Sequence, residues 1–292
     1  MLATVLALVG LGTACGWEDT VVVGSKDFVE QDILGELIAQ ELEAVGVPVD
    51  RRFHLGGTNV AHQALTSGAI DLYVEYSGTA LTAVLGRDPI HDADSVYTVV
   101  EAEYLARWGV VAGPPLGFEN TFALIVRRAD ADSLGLTTIG DLAAYAASWR
   151  AGFGPEFMAR PDGYDGLKAA YQLEFGEVRQ MDLGLLYRAL AENEIDLAVG
   201  NSTDGQISAL DLTTLSDNRR YFPPYQAVPF VRRETLERQP VVWGVLQGLS
   251  GTLTADEMRA LNRLVVADGM DIPAAVRRWR STHTPRPPVV GE

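Results

Sequence analysis

The chain has 292 residues, 47% of them apolar, and carries a formal charge of −16 from 39 acidic and 23 basic side chains. That length buries one large core or two of ordinary size, and the absence of any basic cluster excludes nucleic acid, whose phosphates demand concentrated positive charge. A single cysteine, Cys15, excludes disulfides, CxxC redox chemistry and thiolate metal clusters.

Residues 2–14 are uncharged and apolar and end in small residues just before Cys15. The run is too short to span a bilayer. It reads as a signal peptide over residues 1–15 with a lipobox-like end, Cys15 being lipidated to become the mature N-terminus. Next, Thr20–Gly24 is a β-branched strand, and residues 29–45 place Ile33, Leu34, Leu37, Ile38, Leu42 and Val45 at helical spacing. The alternation continues through a strand near Phe53, a helix at 58–65, a strand at 70–76, helices at 79–85 and 96–108, and a strand at 110–111. A second series starts with a strand at 122–126, passes through a helix capped near Thr138 and helices near 165–175 and 184–193, and closes with a strand at 196–199. This is the βαβ rhythm of a parallel sheet. Helices follow near 241–249, 255–267 and 273–280, and the proline-rich tail 284–292 is expected to fray.

Two stretches echo each other. Ile70-Asp71-Leu72 leads to Ser77-Gly78-Thr79, and Ile195-Asp196-Leu197 leads to Ser202-Thr203-Asp204-Gly205; a third turn of this kind, Gly24-Ser25-Lys26-Asp27, follows the first strand. Open α/β sheets bind ligands at the carboxyl ends of their strands, so three such turns from two halves suit a cleft between lobes. The plainer reading is that their Ser, Thr and Asp residues are ordinary helix caps.

The run Gly24-Ser25-Lys26-Asp27-Phe28-Val29-Glu30-Gln31-Asp32-Ile33-Leu34-Gly35-Glu36-Leu37 resembles the opening of the glycine betaine, carnitine and choline binding proteins of ABC importers. Three later blocks resemble that family in order and spacing: Tyr73 to Thr79, Ser202 to Leu212, and Phe222 to Pro229. The resemblance covers residues 20–282. It implies an α/β, two-lobed type II periplasmic-binding-protein fold, with a ligand cleft between lobes joined by two crossover strands. Lobe one would comprise residues 20–118 and 226–283, and lobe two residues 119–225.

It also implies a function: capture of a quaternary-ammonium osmoprotectant such as glycine betaine, choline or carnitine, and delivery to an ABC permease with its ATPase. A trimethylammonium has no N–H to donate, so it is held by the faces of aromatic rings, while a carboxylate end needs charged donors. By motif, Tyr76 and Tyr225 match cage positions, Lys26 and Thr79 match carboxylate contacts, and Arg160 matches a guanidinium reaching from lobe two. Asn120 belongs to the same set. Phe122 and Asn201 stand where tyrosines are common in the family, which leaves one wall of the cage open or polar and admits a larger trimethylated zwitterion such as ergothioneine. Ser25, Asp27, Ser77, Thr203 and Asp204 are further candidates from the turns. Asp27, Glu30 and Glu75 otherwise read as caps or solvated carboxylates.

An enzyme on a related two-lobed scaffold is the competing class. The sequence has no GxSxG, HExxH or Walker A motif, and His54, His62, His91 and His283 lack metal-ligand spacing and read as surface or packing residues. The expectation is therefore a monomeric, extracytoplasmic binding protein held to the membrane by its lipid anchor alone, without metal or cofactor.

Overall fold

The computed structural model describes residues 20–283; the expected signal peptide with Cys15, and the tail 284–292, lie outside the described residues. Two five-stranded sheets form the framework. The first contains β1 (Val21–Gly24), β2 (Val49–Arg52), β3 (Leu72–Tyr76), β4 (Val110–Ala112) and β10 (Ala227–Arg232) in the order β2-β1-β3-β10-β4. The second contains β5 (Phe122–Arg127), β6 (Arg150–Phe153), β7 (Glu177–Gln180), β8 (Leu197–Asn201) and β9 (Leu212–Leu215) in the order β7-β6-β8-β5-β9. The two orders are the same pattern, and in each the fourth strand runs antiparallel to both neighbours. The sheets are thus mixed, where the βαβ rhythm predicted parallel ones. Hydrophobic alternation records which face a strand buries but not its direction.

The echoed Ile-Asp-Leu segments occupy equivalent places. Asp71 Oδ2 accepts from Val22 N (2.8 Å) on β1, and Asp196 Oδ2 accepts from Arg150 N (2.9 Å) on β6. Each aspartate therefore pins its strand to the parallel neighbour at the same point of the pattern.

Helix α1 (Val29–Ala44) buries Ile33, Leu34, Leu37, Ile38 and Leu42, one stripe at helical spacing, and packs against three C-terminal helices. The other helices that position the site are α2 (Thr58–Ser67), α3 (Ala93–Trp108), α4 (Pro155–Ala159), α5 (Tyr164–Tyr171), α6 (Leu183–Ala191), α7 (Val241–Leu249), α8 (Ala255–Val266) and α9 (Ile272–Thr282). A capping box between Thr254 and Glu257 starts α8, with each side chain satisfying a backbone N–H of the first turn. The expected helix at 79–85 is a short α-turn followed by a π-turn over Ala80–Val84, and the helix near Thr138 is a 3-10 turn over Ile139–Ala144.

Two segments cross between the sheets side by side. Asn120 N donates to Tyr225 O (3.0 Å), Ala227 N donates to Phe118 O (3.1 Å), and Glu119 bridges Gln226 antiparallel. Among the described residues no helix is long and apolar enough to cross a membrane.

Candidate functional site

The turns after β1, β3 and β8 meet the crossover pair at one place. There Lys26, Phe28, Tyr76, Thr79, Asn120, Phe122, Glu156, Arg160, Asn201 and Tyr225 line a narrow space of about 40 Å3. It shares Phe28, Phe122, Glu156, Arg160 and Asn201 with a wider cleft of about 980 Å3 between the sheets. All eight principal residues expected from the sequence converge here. Phe28 and Glu156 were not anticipated: Phe28 sits in irregular backbone just before α1, and Glu156 has only its place four residues before Arg160 as a signal.

The rings form two pairs. Phe28 and Tyr76 lie stacked, with centroids 6.5 Å apart, and Phe122 meets Tyr225 edge-on at 6.0 Å. Tyr225 approaches the Ser77-Gly78-Thr79 turn so closely that a Cβ at Gly78 would lie 2.7 Å from its ring, which explains the glycine in that motif. Each pair of rings faces one of the chain's own cations. Lys26 Nζ is 4.9 Å from the Tyr76 centroid and 5.6 Å from that of Phe28; the Arg160 guanidinium carbon is 4.9 Å from Phe122 and 5.7 Å from Tyr225.

Both cations are paired with buried carboxylates. Lys26 Nζ reaches Glu75 Oε1 at 2.6 Å and Thr58 Oγ1 at 3.4 Å. Arg160 uses all five of its N–H groups: Nε and Nη2 on Asp162 (2.8 and 2.5 Å), Nη1 on Thr79 and Glu156 (2.9 and 3.4 Å), and Nη2 again on Thr82 (3.4 Å). A direct bond from Arg160 to a ligand carboxylate would require one of these to break. Burial acts to raise the Asp162 carboxyl, but the bond to Arg160 and its charge hold it below the usual range. Glu156 is likewise pushed up by burial and brought lower overall by the charges of Lys26 and Arg160. Burial drives the Tyr76 and Tyr225 hydroxyls well above the ordinary phenol value, so both rings stay neutral.

Glu30 and Glu75 correct the sequence reading. Neither is a solvated carboxylate: Glu30 is 1% exposed and Glu75 0%. Glu75 serves Lys26 and accepts from Tyr76 N (2.8 Å). Glu30 accepts from the Tyr76 hydroxyl (2.6 Å), Asn120 Nδ2 (2.8 Å), Thr203 Oγ1 (2.5 Å) and Asn262 Nδ2 (2.7 Å). Desolvation still outweighs those four bonds and raises its carboxyl.

The remaining candidates from the turns stand behind the space or at its mouth. Ser25 donates to Asp32 and accepts from His54 N, and Ser77, just after β3, holds the 224–226 crossover by donating to Pro224 O and accepting from Gln226 N. Thr203 meets Glu30, while Asp27, exposed, and Asp204 line the wider cleft. Asn201 is the cross-strand partner of Phe122, with its backbone N–H on Asp204 (3.1 Å). Burial pushes the Asp204 carboxyl up to about 6. Among the histidines, His62 packs edge-on against Tyr104 and Trp108, and His54 lies exposed beside Asp32.

Residues 19–282 match the family model described as the substrate binding domain of ABC-type glycine betaine transport systems. The carnitine transport binding protein OpuCC of Listeria monocytogenes is 32% identical over 259 residues, which cover 88% of this chain and 83% of that protein. The ergothioneine transport permease/ergothioneine binding protein EgtU of Helicobacter pylori is 33% identical over 246 residues, covering 84% of this chain and 44% of that protein. A solved structure of a glycine betaine/carnitine/choline ABC transporter superposes with a TM-score of 0.79 at 30% identity, covering 90% of this chain and 98% of that one.

Proposed function

The chain belongs to the family of substrate-binding domains of ABC-type glycine betaine transport systems, and from that premise we propose that it captures a quaternary-ammonium osmoprotectant outside the cytoplasm and hands it to its permease. One observation carries the reading: four rings, Phe28, Tyr76, Phe122 and Tyr225, converge on one space and present faces already occupied by cations of the chain. A methylated ammonium is the ligand head group that competes for such faces, because dispersion and the ring quadrupole replace the N–H bonds it cannot make. Lys26 and Thr79 then meet the acidic end of a zwitterion, with Arg160 supplying positive charge behind Thr79.

This role is capture and release, not turnover. Domain closure about the paired crossover segments gives the motion that loading and delivery require. Lobe one takes residues 20–118 and 226–283, lobe two residues 119–225, and the protein acts as a monomer lipidated at Cys15. A second reading, a larger trimethylated zwitterion such as ergothioneine, is favoured by Asn201, which puts a polar side chain beside Phe122 on the lobe-two wall.

The test is isothermal titration, with thermal shift in parallel, against glycine betaine, choline, carnitine, proline betaine and ergothioneine. Binding of at least one raises the melting temperature by mass action; no response to any trimethylammonium compound rejects the assigned class.

A further inference from the structure

We propose that Glu30 and the lobe-two turn Thr203–Gly205 form an interlobe latch, which sets both the closure of the cleft and the orientation of the Tyr76 ring without touching the ligand.

Glu30 gathers donors from four separate parts of the chain: Tyr76 at the end of β3, Asn120 on a crossover, Thr203 after β8, and Asn262 on α8. A carboxylate buried to 1% exposure is tolerated only while such donors are in place. Asn120 and Thr203 both fall within residues 119–225, but Asn120 sits on the crossover about which the lobes turn, whereas Thr203 follows β8 and moves away with the second sheet, so parting the lobes strips its bond from Glu30. The same turn is gripped twice more by α8: Asn262 Nδ2 donates to Thr203 O (2.9 Å), and Arg259 Nη1 reaches Ser202 O (3.4 Å). Because α8 packs against α1, which carries Glu30, these contacts form one surface of lobe one. On the site side, the Glu30 bond to the Tyr76 hydroxyl fixes the ring that faces Lys26.

Gly205 makes this docking sterically feasible. A Cβ there would lie 2.5 Å from Arg263 N, 2.6 Å from Arg263 Cα and 2.9 Å from Asn262 C, all backbone atoms of α8 that cannot swing aside. Its φ of −65° and ψ of −22° suit any residue. Gly205→Ala is therefore a wedge between the lobes, with no backbone strain within lobe two.

The experiment compares the purified parent with Gly205→Ala, Thr203→Val and Thr203→Ser. It uses small-angle X-ray scattering without added ligand and titration with whichever trimethylammonium compound the parent binds. A compact parent, a larger radius of gyration in Gly205→Ala and Thr203→Val, and at least tenfold weaker affinity in both, with Thr203→Ser close to parent, is the expected result. Unchanged scattering in Gly205→Ala overturns the latch whatever the affinity does, and so does a parent already expanded in solution. Should Gly205→Ala fail to melt cooperatively, the Thr203 pair decides in the same way. The affinity arm rests on the proposed function, whereas the scattering arm does not, so a parent that binds none of these compounds rejects that function and leaves the latch to be judged by scattering.

Discussion

Lys26 and Glu75 form an ion pair at 2.6 Å between side chains that are 3% and 0% exposed, directly beneath the Tyr76 ring. The chain uses only two lysines among its 23 basic residues, and this one is buried in the site. A compact ammonium fits the turn after β1 and keeps three donors on one atom, whereas a planar guanidinium would spread its charge across the ring pair.

Removing one partner of that pair leaves the other charge buried without its counter-ion. Glu75→Gln is expected to lower unfolding free energy by about 3–5 kcal/mol, measured by urea denaturation, and the double variant Lys26→Met/Glu75→Leu to recover at least half of the loss. A Glu75→Gln protein that unfolds at the parent's urea concentration would mean that water reaches the pair.

Tyr76→Ala and Tyr225→Ala each remove a ring face and should weaken trimethylammonium binding by about 1–3 kcal/mol in titration calorimetry. Tyr225→Phe keeps the face and loses only the hydroxyl bond to Asp162 (2.5 Å), so it should bind more tightly than Tyr225→Ala. Parental affinity in both alanine variants would remove these rings from the cage.

Asn201→Tyr places a ring beside Phe122, its cross-strand partner. Affinity for glycine betaine should rise if a small ligand leaves that wall uncovered, and fall for a bulkier native solute that uses the amide. Titration of the variant with betaine and with ergothioneine separates the two, and no change with either shows that residue 201 does not face ligand.

Acid stability should depend on Asp196. The Arg150 bond holds its carboxyl down at about 2, below the ordinary 3.8, so its contribution is present above pH 4 and is lost as pH falls toward 2. Allowing for solvent screening, the loss is about 1–2 kcal/mol. Asp196→Asn should therefore be less stable than the parent at pH 7, with the gap narrowing as pH falls toward 2 in urea unfolding. Asp204 has the opposite sign: raised to about 6, it makes stability fall as pH climbs from about 4 to 6, and Asp204→Asn should flatten that slope.

Much of the framework is local in origin and therefore legible from the chain. The apolar stripe of α1, the β-branched β1, and the Asp71 and Asp196 echoes each depend on neighbours within a few residues or on a repeated unit, and all appear where the pattern puts them. The Gly24–Leu37 and Tyr73–Thr79 runs likewise identify the turns that meet at the site.

What the sequence determined by itself was six of the ten strands, the longer helices and, through the runs that resemble the family, the two-lobed fold and eight residues that converge on one space; β6, β7, β9 and β10 carried no signal that the pattern picked out. Tertiary structure alone decided that the fourth strand of each sheet runs antiparallel, that Phe28 and Glu156 join the site, and that Glu30 and Glu75 are buried. The reason is range: a side chain's spacing records which local face it occupies, but whether a carboxylate can leave water depends on donors brought from elsewhere. For Glu30 those donors include Thr203 and Asn262, 173 and 232 residues further along the chain.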